Sequence, residues 1–310
     1  MRVTKDKAKR RMAKRVLGGG SWSRIVSMLI ALALGLVSTT AFGGAWTLPA
    51  GTLRLEATAF FWRTDERFVD RPGPPTDPYA PGDRVAFDFG GVSETRGVFF
   101  EGEVGVLDGV DLGVSLPWVE SEFRSSTETL MSRGVGDLRF WLRGGGKVRR
   151  FPVSATLRFK APIGGFETSA ETLPLGDGQW DIDGSVATGA SGGPIYVQLS
   201  LGHRWRLAPK SGAFRPANEW IWGVGGGWEI EPGLSLDLQF DSMRGRAGEA
   251  PWARGITDRA LDSLLAKIRF RPTMGSWWVS AGLKETLSGR NHPAGTQWLV
   301  SMARYTLSGE

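Results

Sequence analysis

The residues in this chain that could do chemistry are few in kind and regular in spacing. There are two histidines, so a serine hydrolase centre would have to use His203 or His292. Ser200 and His203 stand three apart in a run that alternates like a strand, so they point to opposite faces and cannot pair. His292 lies near Ser288 and beside Pro293, where a turn could bring the two together. No third partner is recognisable there, and a nucleophile–base pair needs an orienting group. Gly144–Arg150, GGGKVRR, has the glycines and lysine of a phosphate loop, but Val148 takes the hydroxyl position and no helix pattern follows. It reads as a turn with basic residues. The chain has no cysteine, which excludes a disulfide framework and a cysteine zinc site. No catalytic residue, cofactor or metal site is expected.

The remaining constellation is charge. Arg54, Glu56, Glu101, Glu103, Asp137, Arg139, Arg158, Lys160, Asp181, Asp183, Arg204, Asp237, Lys267, Arg269 and Lys284 recur two residues apart, with Arg206 and Asp241 continuing the series. Spacing of two puts such pairs on one face of a strand. Asp181 and Asp183 read as part of this ladder rather than as calcium ligands.

The elements that must position these charges are strands. In Leu234–Asp241, LSLDLQFD, the residues Leu234, Leu236, Leu238 and Phe240 oppose Ser235, Asp237, Gln239 and Asp241. Val153, Ala155, Leu157 and Phe159 likewise oppose Ser154, Thr156, Arg158 and Lys160. Such alternation marks a strand with one apolar and one polar face. A soluble sheet buries the apolar face, whereas a membrane barrel turns it to lipid. In the last strand, Trp298, Val300 and Met302 compete with Leu299, Ala303 and Tyr305 for the apolar side.

Twelve strand-like segments can be read: 51–62, 96–106, 110–122, 134–143, 151–161, 177–190, 194–207, 219–230, 234–241, 260–270, 276–287 and 295–307. Even-numbered strands are followed by short glycine-rich turns such as Leu107–Gly109 and Glu231–Gly233. Odd-numbered ones are followed by 63–95, 123–133, 162–176, 208–218, 242–259 and 288–294, most of them longer. Short turns at one end and long loops at the other are the pattern of an outer-membrane barrel with an even strand count. Trp141, Trp228 and Trp277 sit near the short-turn ends. Trp62, Trp118, Trp180, Trp205, Trp220 and Trp298 sit near the long-loop ends, as two interfacial belts require. Gly223, Gly225, Gly226 and Gly227 fall inside a strand, where glycine relieves crowding. In the loop 63–95, the proline- and glycine-rich residues 71–83 are expected to be extended or turn-like, and the loop either folds over the mouth as a lid or, by default, is mobile.

The N-terminus explains the overall charge. Residues 1–24 are basic, Ile25–Val37 is apolar except for Ser27, and small residues run on to Ala45, which together read as a secretory signal peptide. Residues 1–44 are assigned to that signal, with cleavage between 41 and 45, and residues 45–310 to one barrel. Taking the nine bases and one acid of residues 1–25 from 38 and 32 leaves 29 bases and 31 acids, a net of −2. The basic isoelectric point therefore belongs to the targeting segment and argues for no nucleic-acid partner.

Several blocks resemble the transporter-like family of Gram-negative outer-membrane proteins named after the meta-pathway of phenol degradation. They are Gly44–Gly51 (GAWTLPAG), Val98–Val119, Gly134–Arg143, Leu173–Ser191 and Leu287–Leu307. Ala50 stands where the family usually has lysine. The chain also ends Ser308-Gly309-Glu310 rather than on the aromatic typical of barrels. The resemblance implies a barrel and suggests passage of small aromatic or hydrophobic solutes.

The expectation is an all-β, twelve-stranded antiparallel transmembrane barrel in a bacterial outer membrane. It would admit small solutes passively through a lumen lined by the charges above. Its partners would be outer-membrane lipid, the solute and, during biogenesis, the barrel-assembly machinery. Two rivals stand beside it: a sealed structural or ligand-binding barrel, and a membrane-embedded lipid hydrolase. Inside so narrow a barrel the charges either cross-pair and fill the interior or line a thin wet path.

Overall fold

The computed structural model describes residues 44–70, 72–73, 75, 78–165, 172–207, 217–245, 259–272 and 276–306. The expected signal segment, all but Gly44, lies outside the described residues. β1 (Leu53–Thr64) is followed by short β2 (Glu66–Phe68) and β3 (Arg84–Ala86), then by long β4 (Val92–Leu107) and β5 (Val110–Arg124). Next come β6 (Thr129–Val135), β7 (Leu138–Val148), β8 (Phe151–Ala161), β9 (Asp181–Gly192), β10 (Ile195–Arg206) and β11 (Glu219–Glu231). The last five are β12 (Leu234–Gly245), β13 (Ala260–Phe270), β14 (Trp277–Arg290), β15 (His292–Pro293) and β16 (Thr296–Thr306).

The long strands close on themselves. β1 pairs antiparallel with both β4 and β16, so that Ala57 faces Phe100 on one side and Met302 on the other. β5 pairs with β7 through Ser115↔Arg139 and with β6 from Trp118↔Val135 onward, so β6 and β7 are one broken strand. Counted so, the barrel has twelve strands, as the spacing predicts. The break has a local cause. Pro117 lies in the gap with no N–H to donate, and its carbonyl accepts from Gly136 at 2.9 Å.

Side chains alternate as expected. Val197, Leu199 and Leu201 face outward on β10, while Arg204 and Arg206 face the interior. The ambiguity in β16 resolves in favour of Trp298, Val300 and Met302, which point outward; Leu299 and Ala303 are buried inside. Two tryptophans correct the belt reading. Trp62 and Trp141 are buried on the inner face, in the same parity as Thr64 and Arg143, whereas Trp118, Trp180, Trp205, Trp220, Trp228, Trp277 and Trp298 are exposed. The interior also holds an apolar cluster, Phe60, Phe99, Val119, Leu265 and Leu299.

Three connections differ from expectation. Gly144–Val148 belongs to β7, paired with β8 up to Val148↔Phe151, so the expected Gly144–Arg150 turn shrinks to Arg149–Arg150. Most of 123–133 is strand, and Ser125–Glu128 is a tight turn closed by Ser125 N–H to Glu128 O at 2.8 Å. Outward positions there include Glu120, Glu122, Arg124 and Arg133 beside Met131 and Val135, so the outer face of this hairpin is mixed rather than the apolar face that marks a lipid-crossing strand. Within 63–95, β2 and β3 join β15 in a three-stranded sheet that caps the long-loop end.

The lipid-facing assignment makes a prediction. Leu199→Arg, at the middle of β10, should lower the unfolding free energy from phospholipid vesicles by about 2–4 kcal/mol. Denaturant titration of the vesicle-refolded protein measures this, and a change below about 0.5 kcal/mol, the size of an ordinary exposed substitution, would contradict the assignment.

Candidate functional site: the barrel interior

All fifteen charged positions singled out in the sequence lie on the inner face or, for Asp137, at the break between β6 and β7. Strand register brings acids beside bases. Arg158 on β8 stands opposite Asp183 on β9, which stands opposite Arg204 on β10. Lys160 stands opposite Asp181 in the same way.

Toward the short-turn end, Arg54 lies 3.0 Å from Glu56 and 3.4 Å from Glu103. Arg143 lies 2.8 Å from Glu103 and 3.4 Å from Asp111, and the Trp141 indole N–H donates to Glu103 at 3.0 Å. Glu101 faces Glu56 in register, with Arg54 and Arg158 as the nearest opposing charges. Asp111 and Arg143 had not been picked out from the sequence. Their positions follow from the period-two rule, since Arg143 is two beyond Trp141 and four beyond Arg139.

These groups also hold the segment before β1. The Leu48 N–H donates to Asp111 at 3.0 Å, Arg143 donates to the Trp46 carbonyl at 3.1 Å, and Ser154 donates to the Gly44 carbonyl at 2.9 Å. Trp46 meets Tyr196 edge-on at 5.7 Å. Residues 44–52 thus cross the interior at the short-turn end, from β4 to β10. Gly105 is required by this strap, because a Cβ there would sit 2.2 Å from the Pro49 carbonyl oxygen.

Toward the long-loop end the pairing is denser. Lys160 contacts Asp177, Asp181 at 2.8 Å and Asp137 at 3.5 Å. Asp137 also accepts from the backbone N–H of Gly164 and Asp177, at 3.3 and 3.0 Å, and so folds the loop after β8 onto the strand break. Burial opposes ionisation of Asp177, yet Lys160 and Arg206 hold its carboxyl well below the usual carboxylate range. Arg204 forks onto Asp183 at 2.8 and 3.0 Å. Glu219 then collects Arg204, Arg206 and Arg259 at 3.1, 3.2 and 3.0 Å. Arg139 is buried beside them, and the Arg158 guanidinium lies 5.6 Å over the Trp141 ring.

The β10–β14 side is different. Arg269 and the Tyr196 hydroxyl donate to Asp237 at 2.9 and 2.7 Å. Lys267 and Lys284 make no ion pair within 4.0 Å among the described residues, Lys284 having Asp241 as its nearest acid. Gly223, Gly225 and Gly227 face inward on β11, and a Cβ on any of them would meet Gln239, Asp241, Asp237 or Tyr196 within 2.8 Å. These neighbours lie flat across the bare strand, which explains the glycines. Ser263, Ser280 and Ser301 continue this side.

The histidines bear on the hydrolase rival. His203 packs on the outward Trp205 and Trp220, each at 4.7 Å, away from Ser200 on the inner face. Ser288 donates to Asp262 at 2.5 Å, and His292 uses Nδ1 on the Pro293 carbonyl at 2.6 Å. No Ser–His couple forms among the described residues.

One solved structure shares this architecture over its whole length. The COG4313 outer membrane channel from Pseudomonas putida F1 superposes with TM-score 0.69 at 16% identity, covering 86% of this chain and 100% of that one. This chain has that fold. The NanC porin gives 0.47 at 8% identity, covering 80% and 98%, and the Ralstonia pickettii toluene transporter TbuX gives 0.41 at 9%, covering 84% and 90%; similarity at that level carries no argument. No family model and no curated protein sequence matches the chain.

Two predictions follow from the charges. Lys160→Met removes the cation common to three aspartates, and stripping one side of a buried ion pair costs about 3–5 kcal/mol. The midpoint of heat-modifiable gel mobility should fall accordingly, and an unchanged midpoint would mean the aspartates are solvated. His292, in the cap, is driven down from 6.5 to about 3 by burial, with Arg259 and Lys284 as facing cations and Glu219 as facing acid. A depressed pKa gives stability that is complete above about 6.5, the unfolded-state value, and is lost as pH falls toward 3. Proteolysis of the cap should therefore quicken between pH 6.5 and 4, and His292→Phe should flatten that dependence.

Proposed function

We propose that this protein is a bacterial outer-membrane channel admitting small solutes by passive diffusion, with the short-turn end in the periplasm. One observation carries the reading: a closed barrel with lipid-compatible exterior has a polar interior in which Lys267 and Lys284, alone of the bases among the fifteen positions named above, stand outside the described ion-pair and buried-arginine network. From β1 to β10 the acids and bases pair with one another and form a fixed wall. Along β11 to β14 and β16 stand glycines, serines and glutamines, the Asp237–Arg269 pair, and Lys267 and Lys284. We assign passage to that side, with Lys267 and Lys284 as the charges a solute meets and the paired residues as its structural bank. Residues 1–44 act as a cleaved export signal, and lipid and the assembly machinery are the partners of insertion. The sequence blocks quoted above support kinship with the phenol meta-pathway transporter-like family, and small aromatic or hydrophobic solutes suit the apolar cluster around Phe60. No covalent chemistry is assigned.

A sealed barrel is the rival reading. The strap at one end and the cap at the other favour it. Planar-bilayer conductance of the refolded protein decides between them. The channel reading expects small discrete openings, enlarged several-fold when residues 44–48 are removed, and a cation-shifted reversal potential in Lys267→Glu/Lys284→Glu, since a carboxylate wall favours cations. No conductance, with and without the strap, would sink it.

A further inference from the structure

Under the cap, three polar groups are buried without partners among the described residues. Trp62, His292 and Gln297 are 6, 4 and 8% exposed, and the Trp62 Nε1, His292 Nε2 and Gln297 Nε2 atoms have no hydrogen-bond partner among the described residues. Buried polar atoms are nearly always bonded, because an unmade bond costs roughly 1–3 kcal/mol. Three such atoms in one neighbourhood call for an explanation that isolated ones do not.

They share a neighbourhood by register and stacking. Trp62 on β1 stands directly opposite Gln297 on β16, and Gln297 stands opposite Lys284 on β14. The Trp62 and His292 rings stack with centroids 6.1 Å apart and planes at 27°. The cap presses His292 there, through β15 paired to β2 and the Ala294 N–H donating to the Glu66 carbonyl at 2.9 Å. Gly295, at φ 135°, lets the chain pass the indole, since a Cβ there would lie 3.1 Å from Trp62 Nε1.

The three groups differ in what they offer. The indole N–H and the amide NH2 donate only. His292 Nδ1 faces a carbonyl, which can only accept, so Nδ1 carries the proton and Nε2 of the neutral ring presents a lone pair. Two donors and one acceptor are the complement of a hydroxyl, which accepts twice and donates once. Two residues along the inner face from Trp62 and Gln297 lie Phe60 and Leu299, members with Phe99 of the apolar cluster. The polar trio therefore borders a buried apolar layer, 2–4% exposed, between whose side chains a flat ring would have to insert.

We propose that Trp62, Gln297 and His292 form a binding station for the hydroxyl of a small neutral aromatic alcohol, whose ring inserts among Phe60, Phe99 and Leu299. The station deepens the channel reading and rests on it only for the route by which solute arrives. Equilibrium binding in detergent needs no conduction, so the two can fail separately.

The test uses the refolded full-length mature chain in deuterated micelles, with benzyl alcohol and toluene as probes. Saturation-transfer NMR reads their affinities, and heat-modifiable gel mobility reads stability. Wild type should hold benzyl alcohol about tenfold more tightly than toluene. Trp62→Phe, Gln297→Leu and His292→Phe should each weaken benzyl alcohol about three- to tenfold, the loss of one neutral hydrogen bond, while toluene is unchanged. Gln297→Leu should also melt no lower than wild type, because it removes a buried group that the empty protein leaves unmade. Equal binding of the two probes, no saturable binding of benzyl alcohol, or unchanged affinity in all three variants would overturn the station. A lower melting point of Gln297→Leu with unaltered affinity would show that the amide serves the fold instead.

Discussion

Hydrocarbon offers no hydrogen bonds, and this one fact orders the molecule. Every backbone N–H and C=O at membrane depth must find its partner within the chain. For strands that condition is met only when the sheet has no edge, so the pairing of β1 with β16 is what permits the other strands to stand in lipid. The pairing also decides which side chains are solvated. Once the ring closes, one parity of every strand must be apolar, and the other is sealed into a narrow interior whatever its chemistry.

The interior is then governed by a second requirement. Charges taken from bulk water must be compensated, and register does the compensating here. Because Arg158, Asp183 and Arg204 are consecutive register partners, and Lys160 and Asp181 another pair, neutralisation is built into the sheet and needs no long loops. Glu219 and Asp137 extend the scheme to segments outside the barrel wall, tying Arg259 and the 172–180 loop to it. The cost is room. A wall filled with mutually engaged side chains is unavailable to a solute, and on β11 the absent Cβ atoms of Gly223, Gly225 and Gly227 make space for Gln239, Asp241 and Tyr196.

Strap and cap obey the same logic at the two ends. The strap exchanges its backbone bonds with Asp111, Arg143 and Ser154, residues that the paired wall already presents. The cap is paired within itself and meets the wall through the Trp62–His292 stack, the Arg84–Glu285 pair and Phe68 against Gly289. Trp62, Gln297 and His292 bring three unpartnered buried atoms together, and they occupy the boundary between cap and barrel.

Much of this is legible in the amino-acid order. Period-two alternation identified the strands, because a strand between lipid and a polar lumen has to alternate. Turn lengths identified the two ends, and spacing of two put the charges, Asp137 at the β6–β7 break excepted, on one face of their strands. The same rule would have turned Trp62 and Trp141 inward, but their aromatic type argued for the interface, and parity outweighed type. What only the tertiary structure decided is which acid meets which base, that residues 44–52 enter the lumen, and that β2, β3 and β15 combine into a cap. Those are contacts between segments tens to hundreds of residues apart. They depend on the register and curvature of a closed sheet, and no local pattern of residues encodes them.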